Sequence, residues 1–331
     1  MPGSVTRILY RMRMTDTRRL GRTKVAVTVL GFGGSQVGNL HRPVSDEDAA
    51  RVVAAAWDLG IRYFDTAPLY DLGGGERRMG AALRGRSRDG YVLSTKVGRL
   101  VEAHGIAYDY SRDGVRRSLE ASLERLGLER IDVAFIHDID PYNHGADQPR
   151  RFREAIDGAY PALERLRRDG ALGAIGVGVN SWRVCRDAVE AADFDCVLLA
   201  GRYTLLEQEA LAFLSLCERR GVGVIVGAPY NSGILARGAA PGARHDYAAP
   251  APQIAERVRR IEAVCARHRT SLGAAALQLP LAHPAVAAVL PGARSAAHVA
   301  ASVRWLGETI AAAFWQELKH GRLLDASAPT P

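Results

Sequence analysis

The chain has 331 residues, of which 47% are hydrophobic, and it carries a formal net charge of +8 at pH 7. This length suits one or two domains with a large core, and no apolar run reaches the roughly 18 residues that cross a membrane. Much of the positive charge is arginine in scattered pairs without interleaved aromatic residues. A solvated surface is therefore favoured over a nucleic-acid site.

The cysteines and the N-terminal segment favour a cytoplasmic protein. Cys185, Cys196, Cys217 and Cys265 lie in apolar patterns without metal-ligand spacing, which is typical of reduced core cysteines, and no metal site is predicted. Residues 1–19 are basic and lack the apolar stretch of a secretory signal, so we interpret them as a disordered leader. A single domain is expected over residues 20–325, with a short tail over residues 326–331.

A glycine-rich stretch opens the predicted domain. Residues 20–30 alternate around Gly21 as in a short hairpin, and the sequence GFGGSQVGN follows at residues 31–39. It does not match the GxGxxG fingerprint that leads directly into a helix, because the next helix begins only near Ser45. We interpret it as a first barrel strand and its loop, in which Gly33 permits close backbone approach to a bound molecule.

From Ser45 onward, helical patterns alternate with short apolar strands. Ser45 is a typical N-cap with acidic residues in the turn after it, and Gly60 is a typical helix end. The later strands are predicted within residues 61–66, 90–96, 131–138, 173–181, 195–203, 222–233 and 285–295. Helices are predicted within residues 45–60, 75–85, 111–127, 150–168, 182–192, 206–221, 252–268 and 295–306, with an additional C-terminal helix over residues 311–319.

These repeated units predict a closed α/β fold. Nearly continuous apolar strands are typical of a parallel sheet covered on both faces, and units of roughly 30–40 residues over about 250 residues fit a (β/α)8 TIM barrel. A doubly wound open sheet with fewer strands is the alternative. The longest loops are expected at residues 98–111, 138–149 and 230–250, where a barrel usually builds its binding pocket.

Four polar residues fall at successive strand ends of this predicted barrel. Asp65 ends the second strand, Tyr70 lies on the loop after it, Lys96 ends the third strand and His137 ends the fourth. Because parallel strands of a barrel end at one face, these side chains are expected to lie together. An ammonium lowers the pKa of a neighbouring phenol, so Tyr70 is a candidate general acid/base for carbonyl–alcohol interconversion. Asp65 would hold Lys96 in place, and His137 would hydrogen-bond either the substrate oxygen or the tyrosine.

Several segments together resemble the aldo-keto reductase superfamily. They are DTAPLY with the later GGE, LSTKVGR, IDVAFIHD, IGVG followed by an amide residue, and LPGARS. The resemblance covers residues 20 to about 324 and implies a TIM barrel, a bound NAD or NADP, no metal, and hydride transfer at the nicotinamide ring. It assigns the catalytic roles to Asp65, Tyr70, Lys96 and His137.

Further segments resemble the branch that contains D-threo-aldose 1-dehydrogenase, also called L-fucose dehydrogenase, and pyridoxal 4-dehydrogenase. They are LLAGRYTLLEQ, APYNSGIL, LAHPAVAAVLPGARS and FWQEL. The branch implies oxidation of a sugar hemiacetal, such as that of L-fucose or D-arabinose, to a lactone. Pyridoxal oxidation and general aldehyde reduction are the alternatives. The expected partner is thus a sugar or aldehyde, not a nucleic acid or a membrane, and the oligomeric state stays open.

The resemblance also implies a dinucleotide site, although several positions depart from the family's pattern. A Ser-Asn pair commonly holds the carboxamide; here residues 178–181 read GVNS, so Asn180 is the candidate, with an offset of one residue allowed. The usual stacking aromatic falls at Gly227, and Tyr230 would replace it from the loop. Fewer basic residues follow the last strand than is usual in the family, so the resemblance does not decide between NAD and NADP. The candidate cofactor residues are Gly33, Asn180, Ser181, Tyr230, Gly292, Arg294 and His298.

Two other functions stay open from the sequence. A Schiff-base aldolase would use Lys96 as its nucleophile, although Asp65 beside the lysine would tend to keep it charged. A non-catalytic nicotinamide-binding subunit is the second, and the intact set of four polar residues argues weakly against it.

Overall fold

The computed structural model describes residue 13, residues 15–39 and residues 43–331, so most of the predicted leader lies outside the described residues. Short strands recur along the whole described chain. The strands are β1 (Thr17–Arg19), β2 (Ala26–Thr28), β3 (Phe32–Gly33), β4 (Tyr63–Asp65), β5 (Val92–Val97), β6 (Arg99–Glu102), β7 (Gly105–Tyr108), β8 (Val133–His137), β9 (Ala174–Val179), β10 (Cys196–Ala200), β11 (Gly223–Gly227) and β12 (Val286–Leu290).

Eight of these strands form one parallel sheet in the order β12-β11-β10-β9-β8-β5-β4-β3. Parallel bridges from Leu30 to Val289 and from Gly33 to Gly292 bring the first strand beside the last. At this seam, the amide of Gly31 donates to Val289 O at 2.9 Å. The predicted (β/α)8 barrel is therefore confirmed, and the open doubly wound sheet is wrong.

Helices follow the barrel strands and cover the outside of the sheet. The α-helices are α1 (Asp46–Asp58), α2 (Gly74–Leu83), α3 (Arg112–Leu126), α4 (Pro141–His144), α5 (Gln148–Glu154), α6 (Tyr160–Arg168), α7 (Trp182–Ala191), α8 (Leu211–Arg220), α9 (Ile234–Arg237), α10 (Pro252–His268), α11 (Leu272–Leu281), α12 (Ala296–Leu306) and α13 (Ala312–His320). A π-helical segment, Ala155–Ala159, joins α5 to α6 into the single helix predicted there. Within the described residues, no helix has the length and apolar character needed to cross a membrane.

The N-terminal hairpin is present and begins earlier than expected. Thr17–Arg19 pairs antiparallel with Ala26–Thr28, so the predicted leader is too long by the three residues of β1. Leu20 and Val27 are fully buried and pack with the side chains of the barrel interior. The hairpin thus closes the end of the barrel at which the strands begin, and the rest of the division into leader, domain and tail stays a prediction.

The sequence pattern does not predict the short helices α4 and α9, the hairpin β6–β7 or helix α11. The hairpin β6–β7 lies in the stretch expected to be a long loop, and Gly105 adopts φ +124° at its turn. Helix α11 lies between α10 and β12, and every residue from Gly273 to Leu281 is buried. A helix that is apolar on all sides lacks the polar face whose spacing reveals a surface helix.

Side chains along each barrel strand alternate between two cores. Phe64 and Ile136 face the helices, whereas Tyr63 and Phe135 pack inside the barrel. Because successive strand residues point to opposite faces, the last residues of β4 and β8 point inward, as does the residue before the end of β5. These inward positions hold the polar side chains of the candidate site.

Candidate active site

Lys96 and Asp65 form a buried ion pair at the carboxyl end of the barrel strands. Lys96 Nζ lies 2.7 Å from Asp65 Oδ2 and donates a second hydrogen bond to Thr66 O at 2.9 Å. The other oxygen of Asp65 accepts from Ser94 Oγ at 2.7 Å. Burial opposes the charge of the lysine, but Asp65 and Tyr70 raise the pKa of Lys96 above its ordinary value. Lys96 is therefore an ammonium at neutral pH.

A glycine on β9, two strands away from β5, leaves room for this lysine. The pairing of β8 with β9 places His137 opposite Gly178. A Cβ atom at Gly178 would lie 3.7 Å from Lys96 Cε and 3.4 Å from Phe135 Cβ, which are ordinary contact distances. A branched side chain would extend into the space around the lysine, so the small residue keeps Lys96 beside Asp65.

Tyr70 reaches the same end of the barrel from the loop after β4. Lys96 Nζ lies 5.3 Å from the centre of the Tyr70 ring. Burial raises the pKa of Tyr70 to about 12, while the charge of Lys96 lowers it and the carboxylates of Asp65 and Asp138 raise it. The lysine acts in the expected direction, but burial is the larger effect and leaves the pKa of Tyr70 above its ordinary value.

Two glycines fit closely around Tyr70. A Cβ atom at Gly38 would lie 2.4 Å from Tyr70 Cβ, and one at Gly75 would lie 2.9 Å from it. Since such distances are too short for two carbon atoms, a side chain at either position would displace the tyrosine. The glycines after β3 and at the start of α2 therefore fix where the phenol enters the site.

The imidazole of His137 is buried at the end of β8. Its Nε2 lies 3.3 Å from Asp138 Oδ2, and no described residue gives its Nδ1 a hydrogen-bond partner. Burial, together with the charges of Lys96 and Arg99, holds the pKa of His137 well below its usual range. The ring is uncharged at neutral pH and can donate one hydrogen bond. The structure thus brings Asp65, Tyr70, Lys96 and His137 to one end of the barrel; their catalytic roles stay a prediction.

A groove of about 380 Å³ lies among the loops that follow β3, β11 and β12. One of its lining residues, Gly33, pairs with Asp65 between β3 and β4, but none of the four polar residues itself lines the groove. The predicted cofactor residues that line it are Gly33, Tyr230, Gly292, Arg294 and His298. Arg237 and Arg244 line it as well, and none of the described lining residues carries a carboxylate. A positive groove of this size fits the phosphates of a dinucleotide.

Asn180 and Ser181 do not line this groove but border a separate depression of about 200 Å³. The amide of Asn180 donates to Asp140 Oδ2 at 3.0 Å, and its carbonyl accepts from Arg202 Nε at 3.2 Å. Ser181 Oγ accepts from Val184 N at 3.4 Å and caps α7. The structure therefore gives both residues structural contacts and does not bring them to the groove with the other predicted cofactor residues.

Tyr230 lines the groove on the side of α12. Its hydroxyl lies 3.0 Å from Ser302 Oγ, and its ring meets the Trp305 ring edge-on at a centroid distance of 5.7 Å. Both partners belong to α12, which follows the last barrel strand. These contacts account for the buried position of Tyr230 and do not support the predicted stacking on a nicotinamide ring.

The sequence pattern does not single out several residues of the site. Gln36 Oε1 accepts from Arg294 Nε at 2.5 Å, which links the loop after β3 to the loop after β12. Gly292 leaves the space for this link, since a Cβ atom there would lie 2.7 Å from Gln36 Cγ. The other residues missed by the pattern are Arg237, Arg244 and Tyr247 in the groove, and Arg99 and Asp138 beside His137.

Comparisons with known proteins match this geometry to a family. The model of the Aldo/keto reductase family matches residues 29–320. The chain belongs to the aldo-keto reductase family. Pyridoxal 4-dehydrogenase from Microbacterium luteolum is 38% identical over 95% of this chain and 99% of its own length. D-threo-aldose 1-dehydrogenase from a Pseudomonas species is 38% identical over 93% of this chain and 96% of its own length.

A solved structure supports the same assignment. The holo form of aldo-keto reductase AKR11C1 from Bacillus halodurans has a TM-score of 0.77 and 27% identity, and the match covers 95% of this chain and 98% of that one. The resemblance to this family and to its aldose and pyridoxal dehydrogenase branch is confirmed. Aldo-keto reductases are oxidoreductases that use nicotinamide cofactors. Among the residues that the structure describes, no group of three or more His, Cys, Asp or Glu side chains is arranged to hold a metal ion.

Proposed function

We propose that this aldo-keto reductase oxidises the hemiacetal carbon of an aldose to a lactone with NAD or NADP, or reduces an aldehyde in the opposite direction. The observation that carries the proposal is the buried Lys96–Asp65 ion pair beside the Tyr70 ring. An ammonium fixed at this distance stabilises the ionised form of the phenol relative to the same buried phenol without it. The bound cofactor supplies the hydride acceptor, and the protein supplies proton transfer.

Each polar residue has a separate role in this proposal. Tyr70 removes the proton of the hydroxyl group while the carbon that bears this group gives a hydride to the cofactor. In the direction of reduction, Tyr70 returns a proton to the oxygen. Lys96 stabilises the phenolate, and Asp65 holds Lys96 in place. Neutral His137 donates a hydrogen bond to the reacting oxygen.

The groove of about 380 Å³ is the proposed cofactor site. Gly33 and Gly292 line it, and Arg237, Arg244 and Arg294 provide positive charge for phosphate groups. Both NAD and NADP are compatible with this lining. Fluorescence titration of the protein with each cofactor separates them, and an absence of binding by both would contradict the assignment.

The proposed substrate class follows the names of the relatives. The aldose dehydrogenase and the pyridoxal dehydrogenase are each 38% identical to this chain, so pyridoxal oxidation is the alternative. Absorbance of the reduced nicotinamide should be followed with L-fucose, D-arabinose, pyridoxal and a short aldehyde, each with NAD and NADP. Turnover of an aldose supports the proposal, whereas turnover of pyridoxal alone supports the alternative.

Tyr70→Phe tests the proton transfer. It should lower kcat by about 100- to 10,000-fold, because the phenol is the proposed general acid/base. Cofactor affinity should change little, since the arginines of the groove are untouched. Tyr91→Phe is the matched control, because Tyr91 is a buried tyrosine that precedes β5, at the opposite end of the barrel. Equal activity of Tyr70→Phe and the wild type would reject the role and favour a non-catalytic nicotinamide-binding subunit.

The Schiff-base aldolase is disfavoured by the charge of Lys96. A nucleophilic amine must be deprotonated, but Asp65 and Tyr70 outweigh burial and raise the pKa of Lys96. Borohydride trapping of an adduct on Lys96 would reverse this conclusion.

We also propose a cytoplasmic location. All four cysteines are buried and unpaired in the structure. Free buried thiols are typical of proteins in reducing compartments, which supports the location inferred from the sequence.

A further inference from the structure

A second charged pair borders the proposed catalytic centre. Arg99, the first residue of β6, and Asp138, the residue after β8, form an ion pair in which both side chains are largely buried. Asp138 Oδ2 also lies 3.3 Å from His137 Nε2. Since His137 is proposed to meet the reacting oxygen, the pair lies next to the position of the substrate.

The backbone holds Asp138 in an unusual conformation. Its φ is +53°, in the left-handed region that residues other than glycine rarely adopt. The amide of Asp138 donates to Gly178 O at 3.0 Å, and Tyr110 OH donates to the carbonyl of His137 at 2.9 Å. Strand β9 and the segment between β7 and α3 therefore hold this turn, in which the carboxylate lies beside His137. Such strained positions collect at functional sites.

The guanidinium of Arg99 is fixed and keeps hydrogen-bonding capacity. It lies 5.1 Å from the centre of the Tyr108 ring, and its Nη1 donates to Asn143 Oδ1 at 3.3 Å. Its Nε is buried and has no hydrogen-bond partner among the described residues. The pair therefore leaves one buried donor without a described partner at the border of the proposed catalytic centre.

Another ion pair on the same strand has a structural role and shows the contrast. Arg88 and Asp132 lie 2.6 Å apart at the other end of β8, with exposures of 15% and 15%, against 13% and 12% for Arg99 and Asp138. Asp132 also accepts the amide of Leu93 at 2.7 Å and so ties β5 to the loop before β8. The two pairs match in chemistry and burial, but only one borders the proposed site.

Exposed apolar side chains surround the same end of the barrel. Large hydrophobic residues with substantial exposure in the described chain include Leu72, Tyr142 and Tyr247, at 50%, 82% and 41%. They lie on the loops after β4, β8 and β11. Tyr247 is close enough to Asp138 and Tyr142 for their charges to affect its pKa. The apolar ring of Tyr247 near this charged pair suits a sugar, which has apolar faces and a hydroxyl edge.

We propose that Asp138 and Arg99 bind the hydroxyl group on the carbon next to the reacting carbon, so that the site selects 2-hydroxyaldehydes in their cyclic hemiacetal form. Asp138 accepts the hydrogen bond of this hydroxyl, and Arg99 donates to its oxygen. The oxygens on two adjacent carbons of a sugar lie close together. His137 Nε2 and Asp138 Oδ2, the groups proposed to contact these oxygens, are likewise only 3.3 Å apart. This inference rests on the proposed oxidation of aldoses and names the part of the substrate that is recognised.

A substrate comparison combined with a substitution tests the inference. D-Arabinose and 2-deoxy-D-ribose differ at the ring carbon next to the reacting carbon only by the presence or absence of the hydroxyl. The wild type should show kcat/KM at least tenfold higher for D-arabinose, with most of the difference in KM. In Asp138→Asn the discrimination should fall below threefold, because the charged acceptor is lost.

The matched control is Asp132→Asn, which breaks the equivalent ion pair at the other end of β8 and should leave the discrimination at its wild-type value. Thermal melting shows whether each variant is folded. If Asp138→Asn does not fold, Arg99→Lys provides the second measurement: it keeps the charge, loses the fixed fork of donors, and should also reduce the discrimination.

The outcomes separate this inference from the proposed function. Efficient oxidation of both sugars at equal rates by the wild type would overturn the inference and leave the proposed function standing. Discrimination that persists unchanged in both folded Asp138→Asn and Arg99→Lys would also overturn it. If the wild type oxidises no aldose with either cofactor, the proposed function fails and the inference fails with it.

Discussion

His137 has a different affinity for protons in the folded and the unfolded chain. Burial and the charges of Lys96 and Arg99 hold its pKa well below the ordinary value in the folded protein. In the unfolded chain it titrates near its ordinary value of about 6.5. Below that pH the unfolded chain binds a proton that the folded ring does not, so the free energy of unfolding falls as the pH falls.

His137→Gln should therefore make the protein less sensitive to acid. Between pH 6 and pH 5 the wild type should lose about 1.4 kcal/mol more per pH unit than the variant, the value for one titrating group. Urea unfolding at a series of pH values measures the difference. The control is His320→Gln, at the exposed last residue of α13, which should keep the wild-type slope of unfolding free energy against pH. Parallel curves for the wild type and His137→Gln would show that the imidazole is not held neutral.

The positions of three of the four polar residues could be predicted because strand geometry determines them, whereas Tyr70 lies on the loop after β4. Asp65 and His137 end apolar strands, and Lys96 is the penultimate residue of one. The alternation of side chains between the two faces of a strand, together with the common direction of the strands, determines where they point. Asn180 could not be placed in this way, because it lies beyond the last residue of β9, where the alternation of side chains ends. The pKa of Tyr70 also could not be predicted, since burial depends on the loops around it.

Strand β9 contains two inward glycines with different surroundings. A Cβ atom at Gly176 would lie 2.2 Å from Cys196 O, in the backbone of the neighbouring strand, whereas one at Gly178 makes only ordinary contacts. The backbone of a paired strand cannot move away as the end of a flexible side chain can. The two positions on one strand are therefore expected to tolerate alanine very differently.

Gly176→Ala should lower the free energy of unfolding by about 1–3 kcal/mol, the usual cost of overpacking a core. Gly178→Ala is the matched control and should change it by less than about 1 kcal/mol. Chemical denaturation of both variants measures the difference. Equal stability of the two would mean that β9 and β10 separate easily at this point.

The elements that could not be predicted from the sequence lack a clear hydrophobic period. Helix α11 has no polar face and contains Pro280, and both features weaken a helical pattern even though the helix is fully packed. The strands of the β6–β7 hairpin have only four residues each and follow β5 almost directly, so their pattern merges with that of a loop. Arg237 and Arg244, the groove arginines that the pattern missed, lie in a four-residue helix and in a segment without a helix or strand.

At the level of the whole molecule, stability and the proposed chemistry lie at opposite ends of the barrel. Leu20 is fully buried beneath the barrel interior, while the polar residues of the site lie where the strands end. The order and direction of the strands could be predicted because each strand is followed by a helix, which forces a parallel arrangement. The hairpin that seals the lower end also has a recognisable alternation, although its first strand falls within the expected leader.

Leu20→Ala should lower the free energy of unfolding by about 2–5 kcal/mol, because it leaves a cavity beneath the barrel. The kcat/KM of the folded variant should stay at the wild-type value, since the substitution is far from the strand ends that hold Lys96 and His137. Urea unfolding and steady-state kinetics check the two statements. Leu59→Ala, at a residue that is 36% exposed, is the control for stability. A loss of activity without a loss of stability would contradict this separation.

The ring of strands is joined where β3, only two residues long, meets β12. The groove proposed for the dinucleotide spans this joint, since it is lined by Gly33 on one side and Gly292 on the other, and the Gln36–Arg294 hydrogen bond crosses it. A molecule held there touches the first and the last strand of the barrel at once. Its binding energy therefore also stabilises the closure of the barrel, so that loss of the ligand and opening of the barrel are linked equilibria.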